Sequence, residues 1–398
     1  MSAPLKGIRI ADFTVHNAGP FATHILSQLG AECIKIESAQ RPDIFRKPHP
    51  VYGRMGPATF DQVASNKLSV RINLKHPQGA DLARRLAAVS DVAAESFRPG
   101  VMRRLGLDHE ALRQVKPDLV FLSICSSGQT GPDAHFSGYA PLFGAWGGLG
   151  ALTGYADGPP VEMRHVMDHA VGLNAALAVV GALHRRRATG EGALVDVAAR
   201  EVASSLIGEA LLVAAAGGEP TRMGNDHLAM APHGVYPAQG EDRWLSIAVR
   251  GDDQWRALVR VMGRPELAAD ARFATVARRL SRRAELDALV SEWTLTVAAE
   301  AAAAALQAEG VAAHVSWTSR DIADDAHLRA RGAIVEVSEP DGRTRAAVGA
   351  PLKLSKGGDI GLTRGTPRLG EHEDYVFGDL LGLSAEERRS LERDGAIY

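Results

Sequence analysis

Gly7-Ile8-Arg9-Ile10-Ala11-Asp12-Phe13, followed by Ala18-Gly19-Pro20 and then by Leu29-Gly30-Ala31-Glu32-Cys33-Ile34-Lys35-Ile36-Glu37, is the stretch from which the fold is read. The first run has the apolar character of a buried strand. Pro20 suits the first turn of a helix and Gly30 its end. The last run is a second strand. A strand–helix–strand unit of this length is a βαβ crossover, which joins parallel strands and points to a Rossmann-like sheet. Glu37 stands where a dehydrogenase keeps its ribose-binding acid. The glycine fingerprint G-x-G-x-x-G is absent, however, and this argues against NAD.

The alternation continues outward. Residues 69–74, 91–95 and 119–124 read as strands, and residues 78–88 and 109–114 as helices. Strands alternating with helices predict an α/β fold with a parallel sheet. Ligands in such folds bind beyond the carboxyl ends of the strands. Three loops are expected there, at residues 14–19, 96–100 and 126–131. The rhythm changes after Val213-Ala214-Ala215-Ala216-Gly217-Gly218. Strands at 244–249 and 311–315, with helices at 252–262, 278–293 and 297–308, predict a smaller α+β domain over 219–325. Pro340-Asp341-Gly342 is a turn signal between two strands, at 333–337 and 344–348. Residues 380–394 read as a charged surface helix.

At 398 residues the chain is long enough for two lobes and a large core. A formal net charge of −2 offers no bulk attraction to nucleic acid or to an anionic membrane, so an anionic ligand must be held by a local basic cluster. Cys33 and Cys125 sit in strand-like runs and read as inert core thiols. Neither a disulfide framework nor a metal-ligand spacing is present. No signal-peptide pattern opens the sequence and no apolar run looks long enough to span a bilayer, so the cytoplasm is the expected compartment.

Two features carry chemistry. The first is Met163-Arg164-His165-Val166-Met167-Asp168-His169, which places a carboxylate just before an apolar helix over 170–183. An Asp there is an N-cap in the plain reading and a reactive carboxylate in the sharper one. Arg164, His165 and His169 beside it suit recognition of a substrate's second carboxylate, since Arg pairs bidentately with carboxylates. The alternative is one surface Arg and two structural histidines. The second feature is a set of cations near the predicted loop ends: Arg41, Arg46, Lys67, Arg71, Lys75, Arg98, Arg103 and Arg104. Phe97-Arg98-Pro99-Gly100 adds an aromatic face to stack a base and a guanidinium to pair a phosphate.

The chain resembles the class III CoA-transferases. The likeness rests on Ala18-Gly19-Pro20-Phe21-Ala22-Thr23, Asn66-Lys67, Glu95-Ser96-Phe97-Arg98-Pro99-Gly100, Gly128-Gln129-Thr130-Gly131-Pro132, Thr189-Gly190-Glu191-Gly192 and Pro367-Arg368-Leu369-Gly370-Glu371-His372, in that order along the chain. Within the family, Gly138-Tyr139-Ala140-Pro141 and Met230-Ala231-Pro232-His233-Gly234 are most similar to succinyl-CoA:benzylsuccinate CoA-transferases. The resemblance implies an α/β fold in which residues 1–218 and the returning 326–398 build a large Rossmann-like CoA-binding domain. Residues 219–325 would form the small domain, and two chains would interlock as a dimer. It implies Asp168 as nucleophile and Asn17, Arg41, Ile72, Lys75, Phe97 and Arg104 as CoA contacts. Ser96 replaces the family's usual Asn. Residues 225–234 stand in for the family's glycine-rich loop and become the candidate lid, with His233 either a substrate contact or a packing residue.

The implied substrates are an acyl-CoA and a carboxylic acid, with no tightly bound cofactor and no nucleic-acid or membrane partner. The dimer is expected to be homomeric, a heteromer being the alternative. An α-methylacyl-CoA racemase is the competing activity; it would need a histidine from the loop after Gly131, where His135 stands without the racemase pattern.

Overall fold

The computed structural model describes residues 2–48, 53, 55–163, 166–358 and 360–398. Residues 1–150, 162–218 and 326–398 form one compact unit, and residues 151–161 with 219–325 form a second.

The first unit is built on six strands: β1 (Arg9–Asp12), β2 (Glu32–Glu37), β3 (Leu68–Arg71), β4 (Val92–Glu95), β5 (Val120–Cys125) and β6 (Ala193–Ala198). They pair in parallel in the order β3-β2-β1-β4-β5-β6. The order reverses between β1 and β4, and the crevice beyond their carboxyl ends is where this topology places ligands. Successive side chains point to opposite faces, so each strand feeds two cores. Ile10, Cys33, Val92 and Val120 pack under the helices Ala18–Gln28 and Val166–Thr189. Their neighbours Ala11, Ile34, Ala93 and Phe121 pack on the other face with Leu82, Leu86, Val376 and Phe377.

Three expectations are corrected. The helix carrying Asp168 runs from Val166 to Thr189, so Asp168 lies in its first turn and not before it. At 24 residues that helix is long and apolar enough to cross a bilayer by length and composition. Its Met167, Val171, Ala175, Val179 and Leu183 are instead buried in the core, and Arg186 near its end pairs with Asp91. The tail is not one helix. A wide π-type segment, Asp374–Leu380, precedes the α-helix Ala385–Arg393. The Pro340-Asp341-Gly342 turn does join an antiparallel hairpin, Ile334–Ser338 with Thr344–Val348.

The second unit holds an antiparallel sheet of His233–Pro237, Trp244–Ala248 and Ala312–Val315. Trp255, Leu258, Phe273, Leu286, Val290 and Leu306 fill its core. The predicted helix at 278–293 is broken at Arg282 into Val276–Ser281 and Arg283–Thr294.

Candidate functional site

A cavity of about 1430 Å³ opens at the carboxyl ends of the parallel strands. The loops after β1 and β4 line it, as the strand order requires. Asp168, Asn17, Arg41, Ile72, Lys75, Phe97 and Arg104 all line this one cavity. His169 does not; its ring packs edge-on against Phe21 at 4.3 Å. His233 opens a strand of the second unit, where its Nδ1 bonds the Asn225 carbonyl at 2.7 Å. Arg164 and His165 lie outside the described residues. His135 packs against Phe136 and is not among the residues lining the cavity.

Asp168 reaches the cavity because two helices approach closely. A Cβ on Gly172, one turn along, would lie 2.8 Å from the Ala18 carbonyl and 2.9 Å from the Phe21 ring. Gly172 therefore lets the Asp168 helix settle against the start of helix Ala18–Gln28, where Asn17 stands. Burial pushes the Asp168 carboxyl above its usual range, while the charge of His169 and a hydrogen bond from Asn17 oppose the shift. Burial therefore outweighs the favourable position at the helix start. A desolvated carboxylate is the more nucleophilic for it.

Tertiary contacts sort the cations. Arg46 grips Glu37 through two bonds, of 2.8 and 2.6 Å. Glu37 is thus consumed by an internal pair. Lys67 is buried on Asp12 at 2.9 Å, Arg71 pairs with Glu373 at 2.7 Å and Arg103 with Asp108 at 3.2 Å. Arg41, Lys75, Arg98 and Arg104 line the cavity and have no ion-pair partner among the described residues. Four open cations and the Phe97 ring in one cavity have the chemistry to pair phosphates and stack a base.

The Phe97 turn is set from behind by Glu95. Its Oε2 accepts the Phe97 N–H at 2.7 Å and its Oε1 accepts the Ser123 hydroxyl, which in turn accepts Gln129 Nε2 at 2.7 Å. Burial, with Asp196 adding repulsion and the Ser123 and Phe97 bonds opposing, pushes Glu95 up to about 7. The folded state then holds a proton that the unfolded chain releases near 4.5. Between those values folding binds protons, so stability falls as pH rises through the window, by about 3 kcal/mol in total. Glu95→Gln cannot ionise. Urea unfolding at pH 5 and pH 8 should show the parent losing that much more stability than the variant; equal losses would rule out a neutral Glu95.

Residues 224–233 are tied down within the second unit. Arg283 bonds Asp226 at 2.8 Å and the His227 carbonyl at 2.7 Å, and buried Arg279 holds the Ala231 carbonyl at 2.8 Å.

The cavity also contains Ser126 and Tyr139, from stretches the sequence marked, and His16, Phe136 and Ser137, which it did not name individually. The signals for His16 were its place in the expected loop over 14–19 and directly before Asn17.

Residues 5–373 match CoA-transferase family III. The chain belongs to that family. It is 34% identical to a succinyl-CoA–D-citramalate CoA-transferase of Chloroflexus aurantiacus, over 99% of this chain and 98% of that one. It is 31% identical to a succinate–glutarate CoA-transferase of Agrobacterium fabrum, over 95% and 96% of the two chains. Among solved structures, a CAIB/BAIF family protein from Brucella suis superimposes with a TM-score of 0.86 at 32% identity, covering 96% of this chain and 100% of that one. This member of family III is a CoA-transferase, and CoA thioesters are its substrates.

Proposed function

We propose that this enzyme moves CoA from succinyl-CoA to a dicarboxylic acid, with Asp168 as the covalent carrier. The observation that carries the reading is the single cavity holding Asp168 together with Phe97, Arg41, Lys75, Arg98 and Arg104. Asp168 attacks the donor thioester carbonyl, the C–S bond breaks, and a mixed anhydride forms as CoA thiolate leaves. The retained thiolate attacks the aspartyl carbonyl, giving aspartyl-CoA and free succinate. The acceptor carboxylate attacks this thioester, releasing the thiolate again and forming a second anhydride. Thiolate then attacks the acceptor's carbonyl and restores the Asp168 carboxylate. The reaction begins and ends with one CoA thioester and one free carboxylate, so no other energy source is needed.

The names of the two relatives support a succinate-type donor and a second dicarboxylate. Phe136, Tyr139 and Phe143 in the cavity wall suit an arylated succinate among the acceptors. The active unit is read as an interlocked homodimer. Its support is the helix Gly208–Ala215, which buries none of its residues although Leu211, Leu212 and Val213 lie on it, and Leu177, 71% exposed on the Asp168 helix. The compartment is read as the cytoplasm, in keeping with two unpaired cysteines.

Incubating the protein with succinyl-CoA and a panel of free acids, with product thioesters identified by mass, should give transfer to dicarboxylic or arylated succinic acids and free succinate in equal amount. Transfer only to monocarboxylic acids would overturn the acceptor class, and no transfer to any acid would overturn the donor.

A further inference from the structure

We infer that His16 is a catalytic residue, its imidazole donating an N–H to the carbonyl oxygen of the acyl group that Asp168 attacks; the inference rests on the transferase reading above. His16 adopts a φ of +65°, the left-handed region that residues with a Cβ rarely occupy. Such a conformation persists only where the surroundings impose it, and such sites cluster at functional centres.

The surroundings here are specific. The Ser96 hydroxyl accepts the Val15 N–H at 2.9 Å and donates to the Val15 carbonyl at 3.0 Å, clipping both backbone groups of one residue. One residue earlier, the Thr14 N–H bonds Asp12 at 2.9 Å and the Thr14 carbonyl accepts Lys35 Nζ at 3.0 Å. On the other side, the Asn17 carbonyl takes the Phe21 N–H at 2.8 Å to begin the helix. A Cβ on Gly19 would lie 2.6 Å from the Thr14 side chain and 3.0 Å from that of Ser96, so the helix start is packed onto the same loop. His16 is the pivot between these anchored residues. Ser96, where the family commonly has Asn, is thereby given a role: it positions His16.

His16 stands one residue from the Asp168 contact, in the wall of the same cavity. His16 lines the cavity with Asp168, the next residue hydrogen-bonds the Asp168 carboxyl, and the ring stands edge-on to Tyr139 at 6.2 Å. The nucleophile fixes where the thioester carbonyl must come, and that carbonyl oxygen gains negative charge as the tetrahedral intermediate forms. A preorganised donor at that point stabilises the transition state more than the ground state. Burial, with Asp43 opposing and Lys35 reinforcing, holds His16 below its ordinary value, so the ring is neutral at pH 7 and presents one N–H.

The test compares His16→Gly, His16→Asn and Ser96→Ala with the parent in the succinyl-CoA transfer assay. Gly accepts the left-handed backbone and removes the donor; Asn accepts the same backbone and keeps an N–H. The expected result is a loss of about 10²-fold in kcat for His16→Gly with KM for succinyl-CoA within a few-fold of the parent. His16→Asn should recover much of that loss, and Ser96→Ala should fall between. A His16→Gly protein with kcat within twofold of the parent would overturn the inference, as would equal losses in the Gly and Asn variants. Failure of the parent itself to transfer CoA would overturn the proposed function instead, so the two failures are separable.

Discussion

An Asp168→Asn protein is expected to lose CoA transfer by about 10³-fold or more while remaining folded and still binding CoA thioesters. The loss is large because Asp168 is the proposed carrier of the acyl group and the residues beside it cannot take over that role. Asn17 bonds the carboxyl but is an amide, and His169 packs away against Phe21. Folding should not suffer. Burial raises the Asp168 carboxyl above its unfolded value of 3.8, so the folded chain disfavours the anion and stability falls as pH rises through the folded value. A neutral amide of the same shape removes that penalty, so the variant should be at least as stable as the parent at pH 7. Loss of activity without loss of stability is the signature of a group kept for its chemistry. In the parent, hydroxylamine added during turnover should convert Asp168 to a hydroxamate, found by peptide mass. Undiminished thioester exchange in the variant would end the covalent reading.

The βαβ unit and the alternation after it were legible because strand and helix periods differ and because Pro20 and Gly30 punctuate them. The strand order was not, since it depends on which crossovers pass over the sheet. Asp168 stood out, but its helix was read four residues short at the start, where Asp168 and His169 interrupt the apolar run, and six short at the end, where His184 to Arg187 do. The basic cluster shows the limit most clearly. Lys67 and Lys75 look alike in the sequence, yet one ends on buried Asp12 and the other at the open cavity. The partners that separate them are brought together only by the fold. The left-handed backbone of His16 was equally hidden, since nothing local to a Val-His-Asn run demands it.

Lys67→Met is expected to destabilise the first unit by about 3–5 kcal/mol, the usual cost of removing one partner from a buried ion pair. Lys67 and Asp12 both have 0% side-chain exposure. The Lys67 ammonium has three N–H donors and three acceptors: Asp12 at 2.9 Å, the Pro20 carbonyl at 2.9 Å and Thr23 at 2.7 Å. Methionine fills the space but leaves the Asp12 charge facing Lys35 and two threonine hydroxyls. Burial alone would raise the Asp12 carboxyl, and Lys67 with Lys35 overcomes it and holds the group below 3.8. Its contribution is therefore present above that value and lost as pH falls through the lower folded value. The variant's deficit should accordingly be full at pH 7 and shrink on acidification. Arg103→Met is the control, since Arg103 is 80% exposed in its pair with Asp108, and it should cost within about 1 kcal/mol. Asp12 also holds Thr14, so Lys67→Met should lower kcat through the loop that carries His16 and Asn17, even under conditions where the protein stays folded. Urea midpoints for both variants at pH 7 decide the point: a Lys67→Met loss no larger than that of Arg103→Met would show that the buried pair is not what holds this loop.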